Sequence, residues 1–154
     1  MGRAVSLPYE SATAGERALM ELQKILSGFG CQSFGTMTDQ ERMVQIVAFR
    51  WRDRQVNLEA SWKGYATAWL KAHPWKYSMK CSTKEHEQRA LNQARISVCS
   101  ILRDWTKGQV TAVECGIMSF EEAFMPHMLT SNGQRLIDRV RSQNLLAAPS
   151  EATA

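Results

Sequence analysis

One long helical pattern limits what this chain can fold into more than any other feature. Between residues 83 and 115, apolar side chains recur within about 100° of one another on a helical projection. They are Leu91, Ala94, Val98, Ile101, Leu102 and Trp105. The opposite face, expected to meet solvent, carries Arg89, Gln93, Ser100, Arg103 and Lys107. Such a helix would be roughly 50 Å long, against a width of about 40 Å for a compact domain of this size. We therefore expect one end to project, or a break near Gly108.

Start and stop signals predict the helices of the first half. Thr13 and Glu16 have the spacing of a capping box, and apolar residues follow at helical intervals, so we predict a helix over residues 14–28. Ser61 is placed to cap a second helix over residues 62–73, which ends before a proline.

Similar signals organise the second half. Ser82 opens the long helix, and Ser119 opens a set of short helices over residues 119–143. Residues 1–10 and 147–154 lack such signals, and we expect both ends of the chain to be frayed.

Residues 43–60 predict an antiparallel hairpin. With a two-residue turn at Arg52-Asp53, one face of the hairpin is apolar and the other mostly polar. The pairs on the apolar face are Phe49 with Val56, Val47 with Leu58, and Gln45 with Ala60. An isolated hairpin is marginally stable, so we expect the first helix to cover it, with a weak strand between Cys31 and Thr38 alongside.

These elements together predict the fold class. We expect a single α+β domain spanning residues 1–154, in which an N-terminal helix packs on a small antiparallel hairpin or sheet. A mostly helical C-terminal half with one long helix follows. A chain of 154 residues can bury a sufficient core without metals or disulfides.

The charge is concentrated in the middle of the chain. The formal net charge is +4, but residues 50–103 hold eleven basic and four acidic residues, a net charge of +7. The flanking segments are weakly acidic, at −1 for residues 1–49 and −2 for residues 104–154. A local excess of this size indicates either an anionic partner, such as nucleic acid or an acidic protein face, or a solvated surface.

The sequence contains no recognised catalytic or metal-binding motif. The four cysteines lack CxxC spacing, and the three histidines lack HxxxH or HExxH spacing. The chain also lacks a nucleophile elbow, a phosphate-binding glycine loop and a dinucleotide fingerprint. It has no apolar run of membrane-spanning length and no apolar segment near the N-terminus that would direct secretion. We therefore expect a cytoplasmic protein without cofactor or metal.

Aromatic and basic residues alternate between Trp62 and Lys80. Rings beside lysines are typical of single-stranded nucleic-acid sites, and also of protein-binding hot spots. Trp62, Tyr65 and Trp69 share one helical stripe and are expected in the core. Trp75 and Tyr77 follow the helix in a loop, where they either fold over the core or meet a partner. The contact residues we predict are Arg50, Arg52, Arg54, Trp75, Lys76, Tyr77 and Lys80.

Four segments resemble a type of small protein encoded by temperate bacteriophages. They are residues 49–56 (FRWRDRQV), 112–117 (AVECGI), 119–126 (SFEEAFMP) and the pair Asn132-Gly133. The resemblance covers most of residues 14–140 and transfers no functional residue. It implies a phage accessory protein acting in the bacterial cytoplasm. Small phage accessory proteins include nucleic-acid handlers and inhibitors of host defence, such as anti-CRISPR proteins.

The function we predict follows from the resemblance and the basic middle. We expect a non-catalytic protein that binds and inhibits a host nucleoprotein defence complex in an anti-CRISPR-like manner, with no membrane partner. The alternative is a single-stranded nucleic-acid-binding protein of phage replication or recombination that uses the same residues. An enzyme without a recognisable motif is the third reading.

Overall fold

The computed structural model describes residues 6–148. The first half of this part of the chain holds a helix, three strands and a second helix, and the second half is mostly helical. The elements are α1 (Glu16–Phe29), β1 (Ser33–Asp39), β2 (Val44–Trp51), β3 (Arg54–Ser61), α2 (Trp62–Ala72), α3 (Thr83–Glu114), α4 (Phe120–Phe124), a 3-10 turn (Met125–His127) and α5 (Leu136–Ser142). This is the α+β architecture that the sequence predicts.

The sheet confirms the predicted register. Its strand order is β1-β2-β3, and both pairs are antiparallel. Phe49 lies opposite Val56, Val47 opposite Leu58 and Gln45 opposite Ala60, as the alternation predicts. The weak strand before the hairpin is β1, which pairs with β2 along its whole length. The alternation sets the register because a slip of one residue would turn the buried side chains to the wrong face.

Helix α3 is unbroken over 32 residues, or about 48 Å. The predicted capping box is present, with the Ser82 side chain and Glu85 capping each other's backbone N–H groups. The helix passes Gly108 without a break, since Val110 beyond it is buried in the core. It ends in a Schellman motif at Gly116 (φ 72°), where the backbone N–H of Ile117 donates to the carbonyl of Ala112.

Helix α3 is the centre of the fold rather than a one-sided surface helix. α1 and α2 both pack along it, and the sheet contacts it as well. Four successive residues, Ser97 to Ser100, are therefore buried, which a one-sided helix cannot achieve. The prediction that Ser100 faces solvent is wrong. The helix surface here is lined by small side chains, which let neighbouring helices approach closely.

The segment before α1 departs from the prediction. The capping box at Thr13 and Glu16 does not form, because the N-cap is Gly15, which adopts φ 48° and provides no side-chain cap. Glycine takes this left-handed conformation at little cost, so the chain can turn there into the helix.

Residues 7–12, which we call the N-terminal strap, lie across α2 and α3 instead of fraying. Tyr65 donates its hydroxyl proton to the carbonyl of Pro8 over 2.7 Å, and Ser97 donates to the carbonyl of Tyr9 over 2.8 Å. The prediction of a frayed N-terminal end is wrong for residues 7–10, since side chains from two helices hold this backbone. Of the rest of that prediction, Ser6 and residues 147–148 are exposed, and residues 1–5 and 149–154 lie outside the described residues.

The C-terminal elements attach to β3. Met128 forms an antiparallel bridge with Val56, and the backbone N–H of Leu129 donates to the carbonyl of Gln55 over 2.9 Å. A turn follows, after which Arg135 lies 3.3 Å from the carboxylate of Glu59. These contacts place the predicted short helices beside the sheet.

Candidate functional site

The three arginines at the tip of the β2–β3 hairpin are largely occupied by the protein itself. Arg52 adopts φ 54° in the turn, and its guanidinium carbon lies 4.2 Å from the ring centre of Trp51. Arg54 begins β3, with its Nε 3.9 Å from a carboxylate oxygen of Glu121. Arg50 is exposed near the end of β2. Two of the three predicted contact residues therefore already have a partner within the fold.

Trp51 belongs to a packed group of rings below this hairpin tip. We call it the aromatic cluster, and its members are Phe29, Phe49, Trp51, Trp105, Phe120 and Phe124. Trp51 stacks on Phe120 with ring centres 4.3 Å apart, and Phe124 meets Phe49 edge-on at 5.5 Å. This geometry is that of a hydrophobic core, and rings stacked in this way have no free face for a nucleic-acid base.

His127 lies at the margin of the aromatic cluster. Its ring is 5.4 Å from that of Trp105, and its buried Nδ1 has no hydrogen-bond partner within residues 6–148. Burial, and then the charge of Arg135, lowers the pKa of His127 below its usual range. The imidazole is therefore less easily protonated here than in the unfolded chain.

The loop between α2 and α3, residues 73–82, presents the other predicted contact residues differently. The indole N–H of Trp75 donates to the carbonyl of Cys81 over 2.9 Å, which closes the loop on itself. Tyr77 meets Trp75 edge-on with ring centres 4.9 Å apart, yet 95% of its surface is exposed. The α2–α3 loop thus holds one ring in place and leaves its neighbour free to bind.

Four exposed lysines lie in the α2–α3 loop and in the helix turns that adjoin it. Lys76 and Lys80 lie in the α2–α3 loop, while Lys71 and Lys84 lie in the adjoining turns of α2 and α3, and all four are exposed. No lysine within residues 6–148 forms an ion pair. Lys84 is unfavourable for stability because a cation in the first turn opposes the helix dipole. The charge at this end of the fold is therefore available to an external anion.

Histidine contacts anchor the α2–α3 loop to the body of the protein. His86, buried in α3, donates from Nε2 to the carbonyl of His73. His73 in turn lies 2.6 Å from the carboxylate of Glu10 in the N-terminal strap. Sequence reasoning missed these anchors. In the sequence, these contacts are indicated only by His73 and His86, which lie at the ends of two predicted helices. No sequence pattern relates Glu10 to either histidine.

The structure does not bring the two sets of predicted residues together. The α2–α3 loop contacts the start of α3 near His86, while the aromatic cluster contacts it near Trp105. Those positions are 19 residues apart on one unbroken helix, or about 28 Å along it. The predicted contact residues are thus divided between two regions along α3, and of these two regions only the α2–α3 loop leaves both an aromatic ring and its cations unoccupied.

Two other kinds of site are not found in the described part of the chain. Within residues 6–148, no group of three histidine, cysteine, aspartate or glutamate side chains is arranged to hold a metal ion. No helix in that part combines the length and apolar character needed to cross a bilayer.

Comparison with protein-family models, with curated proteins and with solved structures finds no match to this chain.

Proposed function

We propose that this chain is a non-catalytic phage accessory protein that binds and inhibits a host nucleoprotein defence complex, as anti-CRISPR proteins do. The observation that supports this proposal is Tyr77, which is 95% exposed in a loop that, with the adjoining helix turns, carries four exposed lysines without ion-pair partners in the described part of the chain. A tyrosine beside cations is a common anchor in protein interfaces, because it buries a large area while losing little side-chain entropy. The phage origin comes from the sequence resemblance alone.

The α2–α3 loop suits an acidic face on a complex better than a free nucleic-acid strand. Single strands are bound along a track of several stacking rings and cations. Here one ring, Tyr77, is open, and Trp75 is held by its hydrogen bond to Cys81. The hairpin arginines are at the aromatic cluster, which contacts α3 near Trp105, about 28 Å along the helix from His86. A compact projection of this kind fits a concave or acidic surface of a protein partner.

Single-stranded nucleic acid remains a second candidate ligand for the same loop. The exposed ring of Tyr77 can stack on one base while Lys76 and Lys80 meet the adjoining phosphates. This binding would be driven mainly by the release of counterions from the nucleic acid. The logarithm of the binding constant would therefore fall linearly with the logarithm of the salt concentration, with a slope close to the number of phosphates neutralised.

A plaque assay tests the preferred function. The chain is expressed in bacteria that carry one active nucleoprotein defence at a time, and these cells are challenged with a targeted phage. Protection of the phage should raise plating efficiency by orders of magnitude with the native chain. The double variant Trp75→Ala/Tyr77→Ala should lose this effect while keeping its circular dichroism spectrum.

Charge variants provide the matched control. Lys76→Glu with Lys80→Glu should abolish protection, whereas Lys24→Glu with Lys107→Glu makes the same change of charge on α1 and α3 and should not. A folded native chain that protects no phage contradicts the proposal. Binding to labelled single-stranded DNA or RNA with the expected salt slope would favour the second candidate instead.

A further inference from the structure

Strand β1 is an edge strand whose outer side is open. In the order β1-β2-β3, β1 pairs only with β2, through all seven of its residues. In an antiparallel pair, every second residue directs its N–H and C=O groups away from the partner strand. No backbone group within residues 6–148 hydrogen-bonds to that outer side. β1 therefore offers a row of backbone donors and acceptors.

This edge lacks the features that usually prevent a further strand from pairing. Natural edge strands are protected by lysine, by proline, by a bulge or by a short length. β1 has neither lysine nor proline, pairs without a bulge, and carries its one charged residue, Asp39, at its end. Met37 near its middle is 59% exposed. The strand is thus free to accept another strand along its length.

A cleft of about 620 Å³ lies along the inner face of β1. Phe34, Thr36 and Thr38 line it from the strand, Leu19 from α1 and Ile96 from α3. Since side chains alternate between the two faces of a sheet, a strand added to β1 would place every second side chain on this inner side. The cleft and the open edge therefore form one surface, which we call the β1 cleft.

The unpaired Arg95 in the β1 cleft favours a ligand that carries a carboxylate. The guanidinium carbon of Arg95 lies 5.6 Å from the ring centre of Trp62, and both residues line the cleft. Arg95 forms no ion pair within residues 6–148, so its guanidinium is free to pair with a carboxylate of a ligand. Glu16 also lines the cleft, but its carboxylate lies in the first turn of α1, where the helix dipole stabilises it.

We propose that β1 binds an extended acidic peptide segment of a partner protein as a fourth strand of the sheet. The peptide backbone pairs with the outer edge of β1. One inward side chain is apolar and enters the cleft beside Phe34, and another, two residues away, is an aspartate or glutamate that pairs with Arg95. Backbone pairing supplies most of the affinity in this mode, and the alternate side chains supply the specificity.

A second copy of this chain fits the surface less well. Pairing of β1 with β1 of another molecule would place Phe34, Thr36 and Thr38 of that molecule on the inner side. None of these side chains carries a negative charge, so Arg95 would remain without a counter-charge. Asp39 lies on the opposite face of the strand.

Selection from a library of displayed random ten-residue peptides, with the full chain as bait, tests this proposal. Enriched peptides should carry an acidic residue two positions from a bulky apolar one. Their binding should slow amide hydrogen exchange in β1. Arg95→Glu should weaken binding about 10- to 100-fold, as expected for loss of a charge-assisted hydrogen bond. Exchanging the acidic residue of the peptide for lysine should restore binding to that variant.

The controls separate this site from the α2–α3 loop. Arg89→Glu, an exposed arginine on the same helix that does not line the cleft, should leave the affinity unchanged, as should Trp75→Ala/Tyr77→Ala. Circular dichroism checks that each variant is folded. Failure to enrich any peptide overturns the proposal, and so does enrichment of peptides that bind Arg95→Glu equally well or leave β1 exchange unchanged. Protection of β1 in a dimer without peptide overturns it too.

Discussion

The two ends of α3 are both rich in aromatic and basic residues, but they use them differently. Near Trp105, the aromatic cluster packs ring against ring, and Arg52 covers the face of Trp51. Near His86, the α2–α3 loop holds Trp75 by one hydrogen bond and leaves Tyr77 exposed. One end is a core with a charged rim, and the other is a projecting surface.

The difference shows that an alternation of rings and cations does not specify a binding site by itself. Trp51 is flanked by Arg50 and Arg52 as closely as Tyr77 is by Lys76. The two rings differ in whether another element of the fold packs apolar side chains against them. The helix α4 returns Phe120 and Phe124 to the hairpin, whereas no described element covers Tyr77. A ring becomes core where another element brings apolar area to it.

The largest expected contrast is between Phe124→Ala and Tyr77→Ala. Phe124 is fully buried, so its removal leaves a cavity and should lower the free energy of unfolding by about 3–5 kcal/mol. Tyr77→Ala should change it by less than about 0.5 kcal/mol, because the ring is exposed. Urea unfolding of both variants measures the contrast. Similar losses would show that the two ends do not differ in this way.

A smaller contrast comes from the same substitution at each end. Trp51→Phe removes part of a stacked ring and should lower global stability by about 1 kcal/mol or more. Trp75→Phe removes the hydrogen bond to Cys81, which is also worth about 1 kcal/mol. This bond lies within the α2–α3 loop, so its loss should loosen the loop and not the rest of the fold.

Trp75→Phe should therefore leave the urea midpoint nearly unchanged while amide exchange within residues 76–81 becomes about fivefold faster. Hydrogen exchange with mass spectrometry measures this difference. A global loss of stability in this variant would indicate that the α2–α3 loop is part of the core.

His127, at the margin of the aromatic cluster, should make the stability of the protein decrease on acidification. The unfolded histidine titrates near pH 6.5, and the folded one at lower pH because burial lowers its pKa. As the pH falls below about 6.5, the unfolded state takes up the proton first, so stability decreases until the folded pKa is passed.

His127→Gln should flatten this dependence. Urea unfolding of the native chain and the variant at pH 7.5 and pH 5.5 provides the comparison, and the other titrating groups cancel between the two proteins. An equal loss of stability in both on acidification would mean that His127 is not the group responsible.

The smallest expected effects are at the hairpin arginines. Arg52→Gln should cost about 0.5–1 kcal/mol through loss of its contact with Trp51. Arg54→Gln should cost less than about 0.5 kcal/mol, because its contact with Glu121 is long and exposed. Urea unfolding measures both, and neither variant should reduce phage protection. Loss of protection in either would bring the hairpin tip back into the binding surface.

Elements specified by neighbours in the chain were predicted closely. Two of the three predicted capping boxes, at Ser82 and Ser119, form because each depends on residues one helical turn apart, whereas the one predicted at Thr13 does not form. The hairpin register follows in the same way from alternation on either side of a two-residue turn. For the candidate site, the sequence placed Trp75 and Tyr77 in a loop but left open whether they face the core or a partner.

Elements that depend on distant residues were not predicted. The N-terminal strap is ordered by hydrogen bonds from Tyr65 and Ser97, which are far along the chain. The burial of Ser100 depends on helices packing on more than one side of α3, and the β1 cleft depends on where α1 lies relative to the sheet. The apolar periodicity of a helix indicates the face that is most hydrophobic. It does not show whether other elements also pack against a second face of that helix.

The sequence by itself determined the helices, the strand register and the position of the basic segment along the chain, because these depend on interactions within a few residues. Only the tertiary structure decided that the predicted contact residues of this segment lie in two separate regions along α3, with one set of rings packed together and Tyr77 exposed. The physical reason is that burial and charge pairing depend on the three-dimensional arrangement of residues and not on their order in the chain. Whether a ring or a cation is free depends on which distant residues the fold brings within contact distance.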